Sequence, residues 1–155
     1  SYIKGNSIEE DLGNRDFTIN AIVIDLINNV MVDPFKGYKD LKEGVIRKVN
    51  KNSIKDDVIR ILRAIRFSIK YNFYIDVEIR EDIKMYSIEI LNSPKERLFN
   101  ELMKVILEDH KGVAYSELVK HNLLNVLIYN SKDMYHKISP SKHIYMVYKL
   151  YKKRS

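Results

Sequence analysis

The chain has 155 residues, of which 45% are apolar and 31% are charged, and it contains no cysteine. This composition allows one folded domain or parts of two, and it excludes disulfide frameworks, thiolate chemistry and extended disorder. The net charge is +6, no apolar run approaches the ~18 residues of a membrane span, and no signal peptide is evident, so we expect a cytoplasmic protein and no membrane partner.

The first 49 residues predict short strands mixed with two short helices. Ser7 and Glu10 form a capping-box pattern that opens a helix, and Gly13 ends it. The next predicted elements are a strand over 19–26, a turn at 28–29, a returning strand over 30–32, a turn at 33–37, a short helix over 38–42 and a strand over 45–49.

From residue 50 onward the apolar period is helical. Helices are predicted over 53–71, 76–91, 95–109, 112–121 and 123–129, with a final one after residue 139. The fold class is therefore α+β, and its thin sheet would need more strands to bury both faces, so we expect the N-terminal part of a domain to be absent.

The last segment holds the basic excess, because residues 132–155 contain seven basic and one acidic side chain. Such a segment attracts polyanions such as RNA, although a solvated tail is an equally plain interpretation. Tyr145, Tyr148 and Tyr151 recur there at steps of three, which suits base stacking or, more commonly, packing against a partner.

The predicted helix over 53–71 carries one carboxylate and three guanidinium groups at steps of three, namely Asp57, Arg60, Arg63 and Arg66. Steps of three form a ridge that turns slowly around a helix axis. Arginine forks suit phosphates and base edges, and they stay charged when partly buried. For a helix considered alone, a solvated face with weak ion pairs is the simpler interpretation.

Four motifs in order strengthen the functional interpretation. They are Arg15-Asp16-Phe17-Thr18-Ile19-Asn20-Ala21, Asp33-Pro34-Phe35-x-Gly37-x-x-Asp40-Leu41 with Ile46-Arg47, Asp57-x-x-Arg60-x-x-Arg63-x-x-Arg66-Phe67, and Ser93-x-x-Glu96-Arg97-Leu98-x-x-Glu101-Leu102. Together they resemble the signature motifs of the bacterial-type (class II) tRNA nucleotidyltransferases. These are the CCA-adding enzymes and the related bacterial poly(A) polymerases.

The resemblance implies an enzyme that adds C, C and A from CTP and ATP to tRNA 3′ ends without a nucleic-acid template. It also implies a polymerase-beta-type head sheet followed by an all-helical neck. On this basis we predict the end of the head over 1–49, the neck over 50–130 and the start of a basic helical body over 131–155.

The resemblance also assigns roles to individual side chains. It implies nucleotide binding by Arg15, Asp16, Asn20, Asp57, Arg60, Arg63 and Arg66. It implies a hinge at Asp33 and Gly37. Glu96 and Arg97 are interpreted as structural, because they lie within an amphipathic helix.

Asp57 and Arg60 are implied to read the base, and their chemistry fits that role. A carboxylate only accepts hydrogen bonds and a guanidinium only donates them. Cytosine N4 and adenine N6 are donors, whereas cytosine N3 and adenine N1 are acceptors. One Asp–Arg pair therefore suits both CTP and ATP and disfavours guanine and uracil, whose groups would leave buried partners unpaired.

Two departures from the family pattern are visible, and one expected feature does not occur. Asn14 stands in place of the first arginine of R-R-D, and Asp56 replaces a glutamate. No Gly-Gly pair occurs, and the sheet region has no D-x-D motif to hold the Mg²⁺ ions of phosphoryl transfer. We therefore predict no catalytic residue and no metal ligand in this chain, and we expect it to be inactive by itself, with Mg²⁺ bound in the full-length enzyme.

The motifs leave two alternatives open. A poly(A) polymerase, or an enzyme that adds only CC or only A, would show the same motifs. A non-catalytic helical module that binds RNA through the basic segment belongs to another functional class. The four histidines show no spacing that is typical of metal ligands.

Overall fold

The structure is a computed structural model, and it describes residues 7–129. The helices are α1 (Ile8–Gly13), α2 (Gly37–Glu43), α3 (Ser53–Asp56), α4 (Arg60–Tyr71), α5 (Val77–Tyr86), α6 (Lys95–Leu107), α7 (Ala114–Lys120) and α8 (Leu123–Tyr129). The strands are β1 (Val23–Asp25), β2 (Val30–Val32), β3 (Val45–Ile46) and β4 (Tyr74–Ile75), and 3₁₀ turns cover Thr18–Asn20 and Ser87–Asn92. The predicted final helix, the tyrosine stripe and the basic segment lie outside the described residues.

The predicted cap and hairpin near the N-terminus are confirmed. The Ser7 hydroxyl accepts a hydrogen bond from the Glu10 amide at 3.2 Å and opens α1. β1 and β2 pair antiparallel with Val23 opposite Val32. β1 is shorter than predicted because residues 18–20 form a 3₁₀ turn instead of extended chain.

The part after residue 50 was predicted to be all helical, and that detail is wrong. β4 pairs in parallel with β3, and the Tyr74 amide donates to the Gly44 carbonyl at 2.8 Å. Asn72, with φ of 58°, ends α4 in the left-handed conformation and turns the chain back toward β3. A strand of two residues is too short to leave a period in the sequence, so this pairing could not be predicted.

The long helix predicted over 53–71 is broken between α3 and α4. Asp57 is extended, with φ of −149° and ψ of 93°. Its carbonyl accepts from the Arg60 amide at 3.0 Å, and its carboxylate accepts from the Ile59 amide at 3.3 Å. Aspartate favours such capping bonds over a helix interior, so Asp57 stands at a junction and not on a continuous rod.

One apolar core extends from Phe17 and Ile46 through α4 to Leu127. Phe17 and Phe67 meet edge to face, with ring centroids 5.9 Å apart, and join the N-terminal segment to α4. α4 packs mainly on α6. The α+β class is confirmed, whereas the boundaries near residues 50 and 131 stay predictions.

Candidate functional site

A cleft of about 620 Å³ opens between the segment after α1, the α3–α4 junction and α6. Ten residues line it: Asn14, Arg15, Asp16, Asn20, Asp57, Arg60, Arg63, Phe67, Arg97 and Glu101. The cleft therefore gathers four arginines and three carboxylates from segments that lie far apart in the sequence. Six of the seven predicted nucleotide-binding residues are among them.

Asp16 is the buried anchor of the cleft. One carboxylate oxygen accepts from the Phe17 amide at 2.8 Å and from the Asn20 side-chain amide at 3.0 Å. The other accepts from Arg63 Nε at 2.6 Å. The 3₁₀ turn over Thr18–Asn20 brings Asn20 back to Asp16, so this short stretch and α4 share one polar unit.

Arg60 links α4 to two other segments at the base of the cleft. Its Nη1 donates to the Ser53 carbonyl at 3.1 Å and to the Ser53 hydroxyl at 3.0 Å, and its Nη2 donates to the Asn14 carbonyl at 2.9 Å. Its Nε lies 3.9 Å from Asp57 Oδ2. Because Asn14 contributes its main chain, the loss of the family's arginine at this position leaves that contact intact.

Asp57 faces Arg97, a residue that the sequence analysis interprets as structural and does not assign to the nucleotide site. Arg97 Nη1 donates to Asp57 Oδ1 at 3.0 Å, and Nη2 donates to Oδ2, so the two side chains form a bidentate pair. The hydrogen bond to Asp57 raises the pKa of Arg97 above its ordinary value. A usable signal was present, because Arg97 and Glu101 are four residues apart and share one face of α6.

Arg66 is the one predicted nucleotide-binding residue that the structure does not bring to the cleft. It is buried, and it pairs with Glu101 at 3.5 Å and with Glu108 at 3.1 Å. At about 100° per residue, Arg66 lies roughly 120° around the helix axis from Arg60. The ridge at steps of three therefore turns Arg66 toward α6, where its ion pairs join the two helices.

The remaining lining residues differ in exposure. Arg15 lies at the rim, where it pairs with Asp11 at 3.0 Å and its side chain is 53% exposed. Phe67 is buried and contributes an apolar wall, with the Arg63 guanidinium 5.4 Å from its ring centroid. The cleft thus combines an exposed cation, a fixed polar base and one aromatic surface.

The predicted hinge lies outside the cleft lining. Asp33 accepts from the Gly37 amide at 2.6 Å and from the Tyr38 amide at 3.0 Å, which are the first two amides of α2. Gly37 lies against Thr18, and a Cβ at Gly37 would come within 1.9 Å of the Thr18 carbonyl oxygen. Movement about this segment stays a prediction.

Within residues 7–129 no group of three or more His, Cys, Asp or Glu side chains is placed to hold a metal ion. The cleft carboxylates are each paired with an arginine, so they do not fit the ligand set that Mg²⁺ requires. In the same part of the chain, none of the helices has the length and apolarity to cross a bilayer.

Two family models match the chain, one on each side of the segment that contains α3 and α4. Residues 2–47 match the family described as "Poly A polymerase head domain", and residues 72–133 match "Probable RNA and SrmB- binding site of polymerase A". The chain belongs to the family of bacterial poly(A) polymerases and CCA-adding enzymes.

Curated relatives include both kinds of enzyme. The chain is 35% identical to poly(A) polymerase I of Salmonella typhimurium over 78% of its length and 26% of that protein. It is 36% identical to the CCA-adding enzyme of Staphylococcus haemolyticus over 82% of its length and 32% of that protein. The chain therefore spans between a quarter and a third of the length of these relatives.

Solved structures of CCA-adding enzymes share the fold. The Thermotoga maritima enzyme complexed with tRNA superimposes with a TM-score of 0.70 at 34% identity, over 77% of this chain and 30% of that one. A complex with ATP gives a TM-score of 0.73 at 37% identity, over 77% and 30% of the two chains. A complex with CTP gives 0.73 at 34% identity, over 81% and 34%.

Proposed function

We propose that the cleft binds the incoming nucleotide of an enzyme that adds CCA, from CTP and ATP, to tRNA 3′ ends. The observation that carries the proposal is the meeting of Asp57 and Arg60 with Arg15, Asp16 and Asn20 in one cleft. The complexes of related enzymes with ATP, CTP and tRNA support the same ligands for this chain.

In this proposal Asp57 and Arg60 read the Watson–Crick edge of the base. The Asp57 carboxylate accepts from the amino group of cytosine or adenine, and Arg60 donates to the adjacent ring nitrogen. Three contacts of Arg60 to Ser53 and Asn14 hold its guanidinium in place before a nucleotide arrives. Because the Arg60 side chain is already ordered, it loses little conformational entropy when the nucleotide binds, and this favours selective binding.

The rest of the nucleotide is assigned to the other side of the cleft. Asp16 and Asn20 are polar groups beside each other and are suited to ribose hydroxyls. Arg15 and Arg63 are the cations suited to the phosphates. Arg66 is left out of this set because its guanidinium is committed to Glu101 and Glu108.

The test of this proposal is the affinity of the chain for four nucleoside triphosphates by isothermal titration calorimetry. We expect weak binding of ATP and CTP, weaker binding of GTP and UTP, and loss of the preference in Asp57→Ala and Arg60→Ala. Asp56→Ala is the matched control, because Asp56 is exposed and does not line the cleft. Equal affinity for all four bases would favour simple attraction between charges and would overturn the proposal.

The product of the complete enzyme is a finer part of the proposal. A poly(A) polymerase or a CC-adding enzyme remains the alternative, since relatives of both kinds match this chain. A tail made only of adenosines on the RNA would identify a poly(A) polymerase, and arrest after two cytidines would identify a CC-adding enzyme. Because the sequence has no Gly-Gly pair and no D-x-D motif in its sheet region, we expect no nucleotide incorporation by this chain alone.

A non-catalytic RNA-binding module is the alternative from another class, and the "Probable RNA and SrmB- binding site" match favours an RNA partner in either case. The basic segment over 132–155 is the proposed attachment for the RNA backbone. Removing it should weaken tRNA binding and flatten the dependence of log affinity on log salt. A cytoplasmic location stays a prediction.

A further inference from the structure

Arg97 occupies both oxygens of the carboxylate that is proposed to read the base. It reaches Asp57 from α6, a helix separate from the α3–α4 junction, and its own side chain is 50% exposed. We propose that Arg97 excludes guanine from the cleft by taking the acceptor positions of Asp57 that guanine would otherwise use. This inference rests on the proposed function of Asp57 as the base reader.

The acceptor positions of Asp57 can be counted. A carboxylate has two oxygens and about four lone-pair positions. Oδ1 accepts from Arg97 Nη1 and from the Ile59 amide, at 3.0 and 3.3 Å. Oδ2 accepts from Arg97 Nη2, and Arg60 Nε stays 3.9 Å away, beyond hydrogen-bond distance. Among the described contacts, Asp57 therefore keeps one acceptor position, on Oδ2 beside Arg60.

One acceptor beside a guanidinium fits cytosine and adenine. Each of these bases presents one amino N–H on its Watson–Crick edge, next to a ring nitrogen that accepts. Guanine instead presents two neighbouring donors, N1–H and N2–H. Two parallel donors match the two oxygens of an unoccupied carboxylate in the same bidentate way that an arginine does. Arg97 therefore competes with guanine alone for this mode of binding.

The affinity for UTP distinguishes exclusion of guanine by Arg97 from a general loosening of the cleft. The edge of uracil has a single N–H between two carbonyl oxygens, so it cannot make the bidentate contact. Removing Arg97 should therefore admit guanine and leave uracil excluded. A merely structural role of Arg97, holding α6 against the junction, would instead weaken all four nucleotides together.

The experiment measures dissociation constants of ATP, CTP, GTP and UTP for the chain and for Arg97→Ala, by titration calorimetry at one salt concentration. Arg97→Lys is the second variant, because lysine keeps the charge and can fill only part of the bidentate contact. Lys95→Ala is the matched control, since it removes one positive charge from the same helix outside the cleft. Circular dichroism checks that each variant is folded.

We expect Arg97→Ala to reduce the preference for ATP over GTP by about tenfold or more, which is the size of one or two hydrogen bonds to a charged group. The preference of Arg97→Lys for ATP over GTP should lie between those of Arg97→Ala and the unsubstituted chain, and the preference of Lys95→Ala should equal that of the unsubstituted chain. Equal weakening of all nucleotides, or unchanged exclusion of GTP in folded Arg97→Ala, would overturn the inference alone. Absence of base preference in the unsubstituted chain would overturn the proposed function, and this inference with it.

Discussion

Replacing Asp16 by asparagine tests whether the cleft depends on one buried carboxylate. Asp16 accepts three hydrogen bonds, including one from Arg63 Nε at 2.6 Å. Asparagine has one oxygen in place of two, so an amide N–H would face either Arg63 or Asn20, both of which are donors there. The variant therefore loses a charge-assisted bond and gains an unfavourable contact between donors.

The expected cost follows from the burial of the pair. Hydrogen bonds to charged groups contribute about 1.5–3 kcal/mol, and Asp16 is 7% exposed whereas Arg63 is 30% exposed. Partial screening of Arg63 places the loss near the lower end, at about 2 kcal/mol. For a chain of this size we expect the melting temperature to fall by about 5–8 °C.

Thermal unfolding followed by circular dichroism measures this change, with Asp11→Asn as the matched control. Asp11 also pairs with an arginine, Arg15, at 3.0 Å, but both side chains are more than half exposed. Exposed pairs contribute roughly 0–1 kcal/mol, so the control should shift the melting temperature by a few degrees at most. Equal shifts in the two variants would refute the assignment of Asp16 as a buried anchor.

Three further predictions concern other parts of the chain. Gly37→Ala should destabilise the fold by about 1–3 kcal/mol in chemical denaturation, because its Cβ would lie 1.9 Å from the Thr18 carbonyl oxygen. Gly13→Ala is the control and should not destabilise the fold, because its Cβ would lie 3.7 Å from the nearest atom. Burial lowers the pKa of His121 below its ordinary value of 6.5, so the unfolded chain binds more protons than the folded chain. Stability should therefore fall as pH drops below 6.5, and His121→Gln should remove that part of the pH dependence. Removing residues 132–155, which carry seven basic side chains, should reduce the slope of log tRNA affinity against log salt; an unchanged slope would place the RNA contact elsewhere.

Motif spacing predicted much of the cleft because each motif fixes local geometry. Asp16 and Asn20 are four residues apart and meet through one 3₁₀ turn, and Arg60 and Arg63 begin one helix. The same spacing does not bring Arg66 to the cleft, since each step of three residues moves a side chain about 60° around the axis. After two steps the side chain faces α6 and not the cleft.

Tertiary contacts account for what the sequence could not predict. The break at Asp57 depends on capping bonds, and β4 depends on a partner strand that is almost 30 residues away. Arg97 lies on an amphipathic helix whose packing against α4 decides which face reaches the cleft. None of these arrangements leaves a period in the sequence.

The proposed hydrogen bond from the amino group of the base to Asp57 can be measured with a double-mutant cycle in which one change is made in the protein and one in the ligand. The affinities of two ligands are compared in the unsubstituted chain and in Asp57→Ala. One ligand is CTP, and the other is the triphosphate of pyrimidin-2-one riboside, in which a hydrogen replaces the amino group of cytosine. We predict that removing the amino group from the ligand weakens binding about tenfold in the unsubstituted chain, and little or not at all in Asp57→Ala. The same loss in both proteins would show that the amino group does not bind Asp57, and would contradict the assignment of Asp57 to base recognition.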